Sequence, residues 1–282
     1  MKGNIFFCGD LHGKFSYLIA AVLLHKPDAV VLLGDIMGDY AERSLDQELA
    51  AILDKTEIWW IHGNHDTDQA QPYELLFASS LADRNLHGRV VEVAGIRIAG
   101  LGGVFRGRIW YPPEAPLFQS FDDYFTQAEH KRPRRLRQSK TQAKLQQCQQ
   151  SSGFSMAATQ EITDWSHNED RKHRSSIFPA EYERLFMERA DVLVTHEAPD
   201  CHHHGYAALT ELAQALGVQA SFHGHQHDNL DYSAHQARLG FEAHGVGLRG
   251  ISDLRGKVIV AGDLDHARRQ RQVVGVSDRE DE

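Results

Sequence analysis

Five short apolar runs in this chain each break off on aspartate, asparagine or histidine. "IFFCGDLHG" ends at Asp10 and His12, "VVLLGD" at Asp35, "IWWIHGNHD" at Asn64 and His65, "VLVTH" at His196, and "SFHGHQH" at His225 and His227. Short unbroken apolar runs are what strands buried on both faces require. The glycine beside most of these polar residues lets the backbone turn sharply. A carboxylate or imidazole at the end of a core strand is costly unless something satisfies it. These side chains must therefore point at one another, at solvent or at a metal.

Between the runs the period changes. Phe15, Leu18, Ile19, Val22 and Leu23 recur at helical spacing, and so do Leu45, Leu49, Ile52 and Leu53. Pro27 closes the first of these helices. A βαβαβ order gives parallel strands in an α/β fold, and 282 residues with 41% hydrophobic content suffice for a sizeable core. Further on, "RVVEVAGIRIAG" reads as a hairpin about Ala94 and Gly95, and "PAEYERLFMERA" as a helix with Pro179 in its first turn. "YAALTELAQALG" reads as a helix stopped by Gly217, and "KVIVAGD" as a further short strand. Residues 1–268 read as one domain carrying an insertion at about 119–176, with 269–282 as a frayed polar tail. The insertion is basic, then glutamine-rich, which suits a partly helical or mobile segment without a core of its own.

A formal net charge of -9 sets the chain as a whole against nucleic acid and anionic membranes. The basic run from Lys131 to Lys140 lacks interleaved aromatics and reads as a solvated face, so nucleic acid is a secondary expectation as a partner. Cys8, Cys148 and Cys201 are widely spaced and form no CxxC pair, which suits a reducing compartment. The first residues lack a charged stretch followed by a long apolar one, and "YLIAAVLL" is too short to span a bilayer. A cytoplasmic location without membrane partners is the expectation.

Asp, His and Asn together make a mixed oxygen and nitrogen donor set that suits Mn²⁺, Fe or Zn²⁺ better than Ca²⁺. There are enough donors for two ions sharing one carboxylate, and ions paired at about 3.5–4 Å are a recurring clamp for phosphoester cleavage. Any one of these residues alone reads more readily as a cap or a solvated polar group than as a metal ligand. Their joint pattern is what carries the metal reading.

The pattern also has a familiar order. Gly9-Asp10-Leu11-His12-Gly13, Gly34-Asp35-Ile36-Met37-Gly38, Gly63-Asn64-His65-Asp66, Thr195-His196 and Gly224-His225-Gln226-His227 follow one another along the chain. In these blocks, from about residue 5 to 230, the sequence resembles the calcineurin-like metallophosphoesterase superfamily. The resemblance implies a layered β-sandwich flanked by helices. It implies one cation held by Asp10, His12, Asp35 and His227 and a second held by Asp35, Asn64, His196 and His225, with Mn²⁺ foremost. It also implies hydrolysis of a phosphomonoester or phosphodiester, with Asp35 bridging the cations and a water between them attacking phosphorus in line. His65 would donate a proton to the leaving oxygen or stabilise the transition state. Nuclease or end-phosphatase action at the same site is the alternative reading, and a non-catalytic scaffold stands behind it.

Within that resemblance, Gly38 and Asp39 stand where the protein serine/threonine phosphatase branch has Asp and Arg, and Asp66 stands where it has Glu. These departures remove the carboxylate that orients the histidine in that branch, together with a phosphate-gripping arginine. A small phosphorylated substrate is therefore expected. "GLGGVFRGR" offers Arg106 and Arg108 as candidate phosphate ligands, since guanidinium suits bidentate anion contacts. "CHHH" at Cys201 to His204 matches no common zinc spacing and reads as a polar loop near the site's mouth. His223 reads as structural and His62 as a strand residue.

Overall fold

Each of the five apolar runs folds as a strand. The computed structural model describes residues 3–131 and 171–274. In chain order its elements begin with β1 (Ile5–Cys8), α1 (Ser16–His25), β2 (Ala29–Leu32), α2 (Leu45–Glu48) and β3 (Glu57–Trp60). Then come α3 (Ala70–Phe77), β4 (Arg89–Val93), β5 (Ile96–Leu101), α4 (Phe121–Lys131) and α5 (Pro179–Phe186). The chain continues with β6 (Val192–Thr195), α6 (Ala207–Leu216), β7 (Ala220–His223), α7 (Gln236–Leu239) and β8 (Glu242–Gly245). It closes with β9 (Ile251–Asp253), β10 (Val258–Val260) and α8 (Asp265–Val274).

Two five-stranded sheets result, ordered β10-β9-β1-β2-β3 and β4-β5-β6-β7-β8. The strands β1, β2 and β3 are parallel, as are β5 through β8, and the antiparallel strands lie at the outer edges. Alternation along each strand decides what it packs against. Ile5, Phe7, Val31, Leu33, Trp59 and Ile61 from one sheet meet Ile96, Ile98, Val192, Val194 and Phe222 from the other. At the centre Phe7 and Phe222 stack with ring centroids 3.8 Å apart and planes nearly parallel. The alternate residues Phe6, Cys8, Val30, Leu32 and Trp60 face α1 and the Leu45, Leu49 and Ile52 stripe. On the far side Ala99, Leu101 and Leu193 face α5 and α6. The molecule is thus an α/β sandwich with helices on both outer faces.

Register places the site. Cys8, Leu32 and Trp60 are aligned across the first sheet, and Thr195 and His223 across the second. The residues that follow them leave the sheets at one edge, at the carboxyl ends of parallel strands, where open α/β sheets bind ligands.

The hairpin at Ala94 and Gly95 forms, with both residues at positive φ, as a two-residue turn matched to strand twist requires. Gly217 closes α6 in the left-handed conformation. Two expectations change. The Leu45–Leu53 stripe is α-helical only over Leu45–Glu48 and continues as turns, although Leu45, Leu49 and Ile52 are buried as a helix face would bury them. The polar tail is not frayed from its start, because α8 runs through Val274 and Arg269 donates to the Asn229 carbonyl. The described start of the insertion is helical, in line with the partly helical expectation, and it packs on the core. Tyr124 of α4 joins Ile109 and Phe178 in a small apolar cluster with Trp110, Phe118 and Phe121 against it.

The central and greater part of the insertion, including the basic run beyond Lys131 and Cys148, lies outside the described residues, as does the tail beyond Val274. Cys8 is buried and Cys201 half-buried, and both are free thiols. No helix among the described residues is long and apolar enough to cross a membrane.

Candidate metal centre

The loops after β1, β2, β3, β6 and β7 bring the predicted donors together. Asp10, His12, Asp35 and His227 each offer a ligand atom within 4.8 Å of the others, and Asp35, His196 and His225 do the same. Asn64 joins the second group, its Oδ1 lying 3.1 Å from His196 Nε2. Asp35 belongs to both groups, as the resemblance implies.

Turning inward so abruptly strains the backbone. Asp10, His12, Asp35, His225 and His227 have φ of 29°, 45°, 45°, 64° and 54°. Left-handed conformations cost an ordinary residue about 1–2 kcal/mol each, and such strain collects where function demands a geometry. Neighbouring glycines make room. A Cβ on Gly34 would collide with the His196 ring, and one on Gly63 with the Asp35 carboxylate and backbone.

Hydrogen bonds fix each donor from behind. The His225 amide donates to both Asp10 carboxylate oxygens at 3.1 and 3.0 Å, joining the two sheets. The His65 amide donates to Asp35 Oδ1 at 2.8 Å. His196 Nδ1 lies 2.7 Å from the Leu33 carbonyl, so it carries the proton and donates there. That leaves Nε2 facing Asn64 Oδ1 and, at 3.4 Å, Asp35 Oδ2, where a bound cation would displace the Nε2 proton. Three acceptors directed at one point fit a cation. So does His12 Nε2, which is buried without a hydrogen bond and lies 4.0 Å from Asp35 Oδ2. Bonds of about 2.0–2.2 Å from one ion leave donors at most about 4.4 Å apart, comparable with these separations.

The electrostatics suit the same role. Burial pushes the Asp10 carboxyl up to about 8, and the nearby Asp35 carboxylate adds to the rise. Burial also acts to raise Asp35, but the charge and hydrogen bond of His196 outweigh it and hold that carboxyl below its ordinary value. His196 is pushed up to about 10 by Asp35 in spite of its own burial. Burial pulls His225 down to about 3 and His227 to about 4, and lowers His12 as well. Neutral imidazoles with free lone pairs beside buried carboxylates are what a divalent cation needs.

The family model for calcineurin-like phosphoesterases matches residues 3–229. The chain is a member of that family. An uncharacterized protein of Haemophilus influenzae strain Rd is 34% identical over 256 residues, covering 91% of this chain and 96% of that one. The crystal structure of TT1561 from Thermus thermophilus superposes with a TM-score of 0.50 at 13% identity, covering 93% of this phosphoesterase and 99% of that chain, a likeness of fold.

Several neighbours of the centre carry no signal in the sequence. His65, at the start of a short 3-10 turn, has its Nδ1 2.8 Å from Asp68 Oδ2. This hydrogen bond raises the pKa of His65. A carboxylate three residues downstream thus engages His65, although the block itself offers none at the family branch's position. Asp66 is fully buried, and its carboxylate accepts from Ile36 N, Met37 N and Gly63 N, locking the β2 and β3 loops together. Glu197 is buried 3.8 Å from His225 Nε2, and burial pushes it up to about 7.

The two candidate arginines part company. Arg106 turns inward, where Asp68, Glu197 and Asp35 all act on its charge, while Arg108 lies on the exposed turn beyond Gly107. The "CHHH" loop is not simply polar surface: His202 is buried and its Nε2 lies 3.2 Å from Asp228 Oδ2, whereas His203 and His204 are exposed. His223 is buried in β7, and His62 is buried just beyond β3 with both ring nitrogens unpartnered.

Proposed function

We propose that this phosphoesterase hydrolyses a small phosphomonoester or phosphodiester with two divalent cations, Mn²⁺ foremost. One cation would be held by Asp10, His12, Asp35 and His227, and the other by Asp35, Asn64, His196 and His225. The observation that carries this reading is the pair of donor clusters sharing Asp35. Bound there, the cations would neutralise phosphoryl charge and acidify water.

The chain's own residues do the rest. The Leu33 carbonyl holds His196 in the tautomer that presents Nε2, and the His225 amide holds Asp10 in place. His65, with Nδ1 engaged by Asp68, keeps Nε2 available to protonate the leaving oxygen. Arg106 rather than Arg108 takes the phosphoryl oxygens that do not react, because it faces the carboxylates of the centre.

The test pairs metal content with Mn²⁺-supported hydrolysis of p-nitrophenyl phosphate and bis(p-nitrophenyl) phosphate, with Asp35→Asn as control. About two cations per chain, turnover of one ester and its loss in the variant are expected. No uptake and no turnover would overturn the proposal and leave a scaffold.

A further inference from the structure

Arg106 is a half-buried cation whose hydrogen-bond partners are neutral. Its Nη1 donates to Ser175 Oγ and Ser176 Oγ, each at 3.2 Å. Nε and Nη2 make no hydrogen bond among the described residues, and no carboxylate there lies within ion-pair distance of the guanidinium. Asp68, Glu197 and Asp35 act on its charge from beyond hydrogen-bond reach, so the guanidinium keeps donors free to bind an anion.

The two serines are set to hold it. Both are buried. Ser175 Oγ gives its proton to the Lys172 carbonyl at 3.1 Å, which turns its lone pairs outward. Ser176 Oγ lies 3.1 Å from His173 Nδ1, and burial pulls that imidazole down to about 4, so the neutral ring can accept the hydroxyl proton. Both hydroxyl oxygens are thereby left as acceptors for Arg106. Ser175 is also 2.6 Å from Thr67 Oγ1, beside His65, so the same residue braces the turn that carries Asn64 and His65.

These serines do not belong to the strand-end loops that supply the metal donors. They end the inserted segment, and its two legs meet here: the His173 ring lies 4.8 Å from Tyr124 of α4, and the Arg174 guanidinium sits over Phe121. We infer that Ser175 and Ser176 are positioning residues for Arg106, so that the anion-binding side of the centre is completed by the return leg of the insertion. This rests on the reading of Arg106 as a ligand for the substrate's phosphoryl oxygens.

The test is a double-mutant cycle read by inorganic phosphate binding to the Mn²⁺-loaded protein, measured by calorimetry, with KM and kcat for p-nitrophenyl phosphate alongside. Ser175→Ala/Ser176→Ala should weaken phosphate about tenfold, the size of one charge-assisted hydrogen bond misplaced, and raise KM more than it lowers kcat. Arg106→Met should weaken phosphate at least as much. In the Arg106→Met background the serine changes should then have little further effect. Additive losses, or unchanged phosphate binding in the serine variant, would show that the serines serve the fold and not the arginine. A wild-type protein that binds no phosphate overturns this inference together with the proposed function. One that binds phosphate and follows the cycle, yet turns over no ester, supports the positioning role and refutes only the hydrolase reading.

Discussion

His87 gives the clearest acid sensitivity that can be tied to one residue. Burial first, and then the Arg184 guanidinium, pull its pKa from 6.5 down to about 4. Its Nδ1 accepts a hydrogen bond from the Gly102 amide at 3.1 Å, so a proton there would break the bond that ties the β4 approach to the end of β5. The His62 ring, 4.6 Å away, is also held neutral by burial. A histidine whose folded pKa lies below its unfolded value binds its proton first in the unfolded chain. Its contribution to stability is therefore complete above about pH 6.5 and is lost as pH falls through that value toward 4. One proton is worth about 1.4 kcal/mol per pH unit, so the window amounts to about 3 kcal/mol, trimmed to about 2–3 because part of the residue reaches solvent.

Other buried histidines add to the total slope, and only a difference isolates this one. His87→Asn keeps an acceptor for Gly102 N and removes the titration. Urea unfolding at half-unit steps from pH 7 to pH 4.5, in chelator, should show wild type losing about one proton's worth of slope more than the variant. Parallel curves would refute the assignment.

Three further outcomes follow from the centre. Asp66→Asn should turn an amide toward Gly63 N–H, loosen the β2 and β3 loops and weaken cation binding about 10–100-fold by titration calorimetry, and unchanged affinity would count against the bracing role. Asp68→Asn should cost little stability, since the pair with His65 is partly solvated, but should slow phenyl phosphate about tenfold more than p-nitrophenyl phosphate; equal losses on both would remove His65 as proton donor. Gly63→Ala should drive a methyl group against Asp35 and His196 and abolish cation binding, and full cation stoichiometry in that variant would contradict the close approach described above.

The chain's pattern disclosed the strands and their terminal donors because both are local signals. Phe6, Phe7 and Cys8 are apolar on both faces because both faces are covered, and Asp10 follows at once. What stayed hidden depends on distance along the chain. Ser175 reaches Thr67 across more than a hundred residues, from a segment whose composition suggests only solvent exposure. Asp68 looks like any surface aspartate until the 3-10 turn places it under His65. The stripe at Leu45, Leu49 and Ile52 buried as expected although its backbone left the helix, since burial follows the side chains more faithfully than the hydrogen-bond pattern. Arg106 and Arg108 are alike in sequence, and only the turn at Gly107 separates the half-buried one from the exposed one.

The donors divide by origin: Asp10, His12, Asp35 and Asn64 leave one sheet, and His196, His225 and His227 leave the other. A ligand that needs both halves is held only while the sandwich is closed, and mass action then favours closure by about 4 kcal/mol at a thousand times its dissociation constant. Truncating Phe7 where it stacks on Phe222 would cost about 3–5 kcal/mol, nearly the same amount. A chain weakened deep in its core would thus persist in cells replete with divalent metal and fail in starved ones, its survival following the ion supply as closely as its own sequence.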